Sequence, residues 1–204
     1  MANQRTVYLS AGHSNVPGRD RGAAGNGYIE GVEAVRIRNQ VAKNLRQIYN
    51  MTSVVDPDDS ILSQTIAWFK NKTTKDCLVI DIHFNSATPT ATGTETFVPD
   101  DASLTELQLA YCLSHSAHDR MKIPKRGNFK TWKGVKPESE SQHKKLGFMR
   151  LTGENALIEV CFISNPNDMK AYEREFENYC RDLAYIIYKF SVNEQNEIIN
   201  KIAA

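Results

Sequence analysis

Short apolar runs alternate along this chain with longer stretches whose apolar residues recur every three or four positions, the pattern of strands interleaved with helices in an α/β layer fold. The first run, Thr6 to Ser10, predicts a strand. From Glu30 a helix is predicted, with Ile37, Val41, Leu45 and Ile48 on one apolar stripe and Arg36, Arg38, Lys43 and Arg46 largely off it. Residues 18–27, between the two, are polar and rich in glycine and read as a long loop able to wrap a site. Thr52 to Val55 predicts a short strand that stops at Asp56-Pro57, and Ser60 predicts the N-cap of a helix through Ile66, Trp68 and Phe69. Cys77 to His83 is apolar enough to be a central strand, whereas Thr94 to Val98 alternates and predicts a half-buried one.

The second half continues the alternation. A helix is predicted from Ala102 to Met121, carrying Leu104, Leu107, Tyr111 and His115. Pro124 to His143 has no periodicity and reads as a long surface loop. Phe148 to Leu151 and Ala156 to Ile163 read as the last strands, separated by turn residues 152–155. Ser164-Asn165-Pro166 opens a helix, a cap residue followed by proline in the first turn. A final amphipathic helix uses Phe176, Tyr179, Cys180, Leu183, Ile186 and Ile187. The expected architecture is one α/β domain over residues 1–190, a mixed, mostly parallel sheet flanked by helices on both faces, followed by a polar C-terminal tail over residues 191–204.

Composition narrows the class. A chain of 204 residues with 41% hydrophobic content can bury one sizeable core. Its formal net charge of +1 gives no global field toward nucleic acid or an anionic surface, so no nucleic-acid partner is expected. No window approaches the roughly 18 consecutive apolar residues of a membrane span, so no membrane insertion is expected. The amino terminus lacks the apolar stretch of a secretory signal, and synthesis in the cytoplasm is the expectation. Cys77, Cys112, Cys161 and Cys180 sit in apolar settings without short paired spacing and read as reduced, buried thiols.

Three apolar runs end in residues fit for metal chemistry: the first strand in Gly12-His13, the central strand in His83, and the late strand around Glu159. At the carboxyl edge of an open α/β sheet such endings can converge although they lie far apart in sequence. Two imidazoles and one carboxylate make the open three-ligand set of a catalytic zinc. The carboxylate belongs near the start of the first helix, where Glu30 and Glu33 lie one turn apart; Glu30 is preferred because it opens the helix directly after the loop. Glu159 stands within an apolar strand, where an unpaired charge is expensive, so a metal and a proton-transfer duty explain it better than packing does. Cys112, His115 and His118 lack a fourth partner for a second metal site, and His143 and the lysine-rich segment around Lys130 read as solvated.

Ala11-Gly12-His13, Glu30 at a helix start, Ile82-His83-Phe84-Asn85 and the run Leu157 to Pro166 together resemble the zinc-dependent N-acetylmuramoyl-L-alanine amidases of the type 3 family, over Thr6 to about Phe190. Arg126-Gly127 and Gly93-Thr94-Glu95 are similar to family segments near the site. The resemblance implies that His13, Glu30 and His83 hold Zn2+, that Glu159 is the catalytic acid/base, and that Asn85 and Arg126 touch substrate. It implies hydrolysis of the amide between N-acetylmuramic acid and the first L-alanine of the peptidoglycan stem peptide. A monomeric phage or prophage lysis enzyme acting on the cell wall is the expected setting. A zinc peptidase or deacylase on another cell-wall amide, or a catalytically silent peptidoglycan-binding protein, are the alternatives. Cys161 and the long segment after Arg126 depart from the family pattern.

Overall fold

A computed structural model describes residues 4–203. The elements are β1 (Thr6–Ala11), β2 (Ala24–Gly25), β3 (Tyr28–Ile29), α1 (Glu30–Tyr49), β4 (Val54–Val55), α2 (Leu62–Lys70), β5 (Cys77–Asn85) and β6 (Glu95–Val98). They continue with α3 (Leu104–Met121), β7 (Asn128–Phe129), β8 (Trp132–Lys133), β9 (Val135–Pro137), β10 (Glu154–Phe162), α4 (Pro166–Ser191) and α5 (Asn196–Ala203). The main sheet has six strands in the order β4-β1-β5-β10-β6-β9. β4, β1, β5 and β10 run parallel, β6 pairs antiparallel with β10, and β9 runs parallel to β6. This is the mixed, mostly parallel sheet expected from the sequence, with helices on both faces.

Alternation along the strands divides the two faces. Val7, Leu9 and Ala11 of β1, Leu78, Ile80, Ile82 and Phe84 of β5, and Ala156, Ile158 and Val160 of β10 face α1, α3 and α4 in one core. Burying each large aliphatic side chain of this kind contributes about 1.5–3 kcal/mol. Tyr8, Cys77 and Val79 point the other way, onto Phe69 of α2 and onto Phe148. α2 covers only the lower half of that second face. Toward the carboxyl edge the same face carries Ser10, Asp81, His83 and Glu159, and there the sheet opens into a cleft.

The ends of the elements follow from their local chemistry. α3 starts with a reciprocal cap, Ser103 Oγ accepting from Glu106 N–H at 3.0 Å while the Glu106 carboxylate accepts from Ser103 N–H at 2.8 Å. Asn165 caps α4 through its side-chain oxygen, with Pro166 in the first turn, as expected. In β10 the pairing with β5 slips between Glu159 and Phe162. The extra residue turns both Val160 and Cys161 into the helical core, so that Glu159 and then Phe162 face the cleft.

Several expectations are corrected. α2 is capped at Ile61 rather than Ser60, with the Gln64 side chain accepting from Ile61 N–H at 3.2 Å, and Ser60 is buried. Phe148 to Leu151 is not a strand: Gly147–Arg150 forms a 3-10 turn whose Phe148 and Met149 plug the lower face of the sheet. Residues 124–143 are not a bare loop. They form the β7-β8 hairpin and then β9, which completes the sheet edge, and Glu138, 1% exposed, ties the following bend back through Leu146 N–H and Arg150. Ile48 and Leu104 are exposed at 54% and 63%, whereas Arg38 is 1% exposed and ion-paired with Asp56. The helix opened at Pro166 and the amphipathic stretch after Phe176 are one helix, α4. Within the expected polar tail, α5 packs Ile198 into the main core and Ile199 and Ile202 against it. The four cysteines are free and buried.

Candidate active site

His13 stands just past β1, His83 near the end of β5, and Glu30 at the first position of α1, and their ligand-capable atoms lie within 4.8 Å of one another. Glu30 Oε1 is 3.0 Å from His83 Nδ1 and 3.6 Å from His13 Nε2, while Glu30 Oε2 accepts from Ala23 N–H at 2.8 Å. That last bond folds the glycine-rich loop back over the helix start. Glu33, the alternative carboxylate, turns away: it accepts from the Tyr172 hydroxyl at 2.8 Å and from Arg36 at 3.2 Å.

Two neighbours fix the orientation of His83. Its Nε2 lies 3.0 Å from Asp81 Oδ2, two residues earlier on the same face of β5 and fully buried. On the other side, a Cβ at Gly12 would fall 1.9 Å from the ring, so only glycine lets β1 pass so close. Burial alone would lower the His83 pKa, but the charges and hydrogen bonds of Asp81 and Glu30 hold it well above the usual imidazole value. Burial would likewise raise Glu30, yet the hydrogen bond and charge of His83, with His13, keep its carboxyl below the ordinary range. His13 Nδ1 is 3.3 Å from Asp20 Oδ1, at a geometry that makes no hydrogen bond.

Glu159 sits beside this group. In the sheet register it is paired with His83 on one side and with Glu95 on the other, so the three side chains form a row across β5, β10 and β6. Glu159 Oε2 is buried and has no hydrogen-bond partner among the described residues. Burial pushes its carboxyl up to about 8, opposed by His83 and reinforced by Glu30 and Glu95. Glu95, 4% exposed, is by contrast fully engaged. It accepts from Asn85 Nδ2 at 2.8 Å and Arg126 Nε at 3.2 Å, and pairs with Lys136 Nζ at 2.7 Å. The cleft over these residues has a volume of about 480 Å³, with Phe97 and Leu157 on its floor and the segment from Glu140 to Gly147 on its outer wall.

All the residues singled out from the sequence thus reach one cleft: His13, Glu30, His83, Asn85, Arg126 and Glu159 all line it. His143, read as solvated, is exposed but also stands on the wall. His115 and His118 lie apart from it, His115 against Lys125 and His118 against the Ile123 carbonyl. Sequence reasoning missed Asp81, placed Glu95 only loosely, and read Lys136 as part of a solvated basic segment, whereas it lines the cleft and pairs with Glu95. Asp81 carried a usable signal, a charge two residues before His83 in an otherwise apolar strand. The donor set suits a divalent metal: two imidazoles and a carboxylate converge, and one imidazole is oriented from behind by a second carboxylate.

An α/β sheet with such a set at its carboxyl edge, beside a buried acid, is an arrangement able to hold a divalent ion next to a proton-transfer group. The chain belongs to the N-acetylmuramoyl-L-alanine amidase family: the family model Amidase_3, N-acetylmuramoyl-L-alanine amidase, matches residues 7–189. It is similar to a Neisseria meningitidis protein assigned as an N-acetylmuramoyl-L-alanine amidase, with 27% identity and a TM-score of 0.71 over 90% of this chain and 93% of that one. The catalytic domain of the CD27L endolysin, described as targeting Clostridia difficile, shares the fold at 18% identity and a TM-score of 0.66 over 93% of this chain and 98% of that one. The uncharacterized protein YqiI of Bacillus subtilis (strain 168) is 32% identical over 97 residues, 48% of this chain and 46% of that protein. The aligned region therefore spans about half the length of that curated relative.

Proposed function

We propose that this protein is a zinc-dependent amidase that hydrolyses the bond between the lactyl carbonyl of N-acetylmuramic acid and the amine of the first L-alanine in peptidoglycan. The family supports the reaction class, and the convergence of His13, Glu30 and His83 beside the unpartnered carboxyl of Glu159 is the observation that carries the zinc mechanism. These three residues are the ligands in this reading. When bound there, zinc lowers the pKa of water toward 7 and polarises the scissile carbonyl.

The chain's own residues supply the remaining work. Glu159 takes a proton from the attacking water as its oxygen bonds to the lactyl carbon. It then delivers that proton to the alanine nitrogen as the carbon–nitrogen bond breaks, so the acid returns to its starting state. The carboxylate form that begins this cycle is favoured by the bound cation beside it, which offsets the burial that raises the Glu159 carboxyl in the metal-free protein. Asp81 holds the His83 ring, Asn85 and Glu95 form the neighbouring wall, and Arg126 meets the peptide. The catalytic domain is residues 1–190, α5 after it packs Ile198 onto the same core, and the enzyme works as a monomer. A phage or prophage lysis enzyme, made in the cytoplasm and released onto the wall, is the biological setting.

Digestion of purified peptidoglycan by the zinc-loaded protein tests the reading. Mass spectrometry is expected to find free stem peptides beginning with L-alanine beside intact glycan, lost in Glu159→Gln and on chelation. Cleavage within the peptide would make the protein a peptidase or deacylase instead. Binding without cleavage would make it a wall-binding protein.

A further inference from the structure

Two cations stand on the cleft wall next to Glu95, and the backbone is shaped to seat them. Gly127 has a φ of +81°, and a Cβ there would meet Lys136 Cγ at 2.4 Å. Gly93 has a φ of +116°, and a Cβ there would lie 3.0 Å from Arg126 Cγ and 2.5 Å from the Pro124 carbonyl. Any other residue at either position would displace a cation stem. The charged ends are also held in place: Arg126 lies 5.0 Å over the Phe162 ring and Lys136 Nζ 5.8 Å over that of Phe97.

Glu95 is the carboxylate these two cations share, and it is shared unequally with their capacity. Its Oε2 meets both Arg126 Nε and Lys136 Nζ, while Oε1 is taken by Asn85. One carboxylate against two cations leaves a positive charge over. Arg126 uses Nε on Glu95 and Nη1 on the Thr92 carbonyl at 3.3 Å, its Nη2 donates to no hydrogen bond among the described residues, and the side chain, 41% exposed, lines the cleft.

We infer that Arg126 and Lys136 form an anion subsite that takes a carboxylate on the second residue of the stem peptide. The inference rests on the amidase reading for the direction in which substrate lies. Its length scale comes from the sheet. His83, Glu159 and Glu95 occupy adjacent strands in register, so Glu95 is two strand gaps, about 10 Å, from His83. An extended peptide advances about 3.3–3.6 Å per residue, so a substrate whose first amide sits at His83 brings its second or third residue to the cation pair. A free carboxylate there gains charge-assisted hydrogen bonds that a carboxamide does not.

The test uses the dipeptide product L-alanyl-D-glutamate with its γ-carboxyl blocked as the methylamide, in two forms, α-carboxylate and α-carboxamide, each titrated calorimetrically into the zinc-loaded protein. The acid is expected to bind about tenfold tighter or more than the amide, the range of a hydrogen bond to a charged partner. Lys136→Met should collapse that ratio to within about twofold, and Lys136→Arg should keep it; thermal melts confirm that both variants fold. Equal binding of acid and amide by the parent protein, or a ratio untouched in both Lys136→Met and Arg126→Met, would overturn the subsite. The matching muramoyl dipeptides are assayed for cleavage in parallel. Cleavage without any acid preference leaves the amidase standing and removes the subsite, whereas acid-selective binding without cleavage does the reverse.

Discussion

His83 Nε2 lies 3.0 Å from Asp81 Oδ2, and its other ring nitrogen, Nδ1, faces Glu30. The two residues share one face of β5, so the strand itself sets their spacing. Asp81 fixes which imidazole nitrogen is left free toward the ligand group. Replacing it with alanine is expected to weaken zinc binding by about 10- to 100-fold, the usual cost of losing such a supporting carboxylate. Asp81→Asn, which keeps an acceptor oxygen, should lose less. Competition against a chelator of known affinity measures both.

Gly12 controls the same ring from the opposite side. An added methyl group would stand 1.9 Å from His83, and the ring, rather than the sheet backbone, is the part able to move. Gly12→Ala is therefore expected to cost at least about tenfold in zinc affinity while the far-ultraviolet dichroism stays unchanged, a misplaced ligand being enough for such a loss. An unaltered affinity would show that His83 is not a ligand.

How much of this was readable beforehand differs residue by residue. His13, His83 and Glu159 could be picked out because a polar residue at the end of an apolar run needs a reason to be there. The choice between Glu30 and Glu33 could not be settled locally, since both lie in the first turn of α1; it is decided by Tyr172, 139 residues away from Glu33. Asp81 stands out as a charge in an apolar run, and a period of two places it on the same face as His83, but its contact with the ring is set by the folded strand. The strand Val135–Pro137 is too short to show any period, and its place is set by pairing with β6. Phe148 and Met149 form an apolar pair that suits a strand or a tight turn equally, and tertiary packing under the sheet chose the turn. Arg38 looked like a solvated charge because its partner, Asp56, comes from a different element.

That partnership anchors the cleft from below. Arg38 Nη1 donates to Asp56 Oδ1 at 2.7 Å and to the Asp56 carbonyl at 2.9 Å. Asp56 in turn accepts from Thr65 Oγ1 at 3.1 Å and from Ala11 N–H at 3.2 Å, so it ties β1, just before His13, to α2. Removing the guanidinium leaves a buried carboxylate without its counter-charge. Arg38→Met is expected to destabilise the protein by about 3–5 kcal/mol, read from urea unfolding. A loss below about 1 kcal/mol would mean that solvent reaches Asp56.

Glu159 offers a pH signature separate from catalysis. In the metal-free protein burial raises its carboxyl from the ordinary 4.5 to about 8. Between those two values the unfolded chain has released the proton and the folded protein still holds it, so the folded state binds more protons and stability falls as pH rises. His83, whose pKa is also raised, adds to the decline above its ordinary value, so the group must be isolated by mutation. Glu159→Gln cannot ionise. Its melting temperature relative to the parent, both stripped with chelator, is expected to climb from pH 5 to pH 8. The same variant should lose about 10²- to 10⁴-fold in turnover while still binding one zinc, the range for removing a positioned acid/base. A flat difference in melting temperature across that interval would mean that Glu159 is ionised in the folded protein, and its part in proton transfer would then rest on a group already charged at neutral pH.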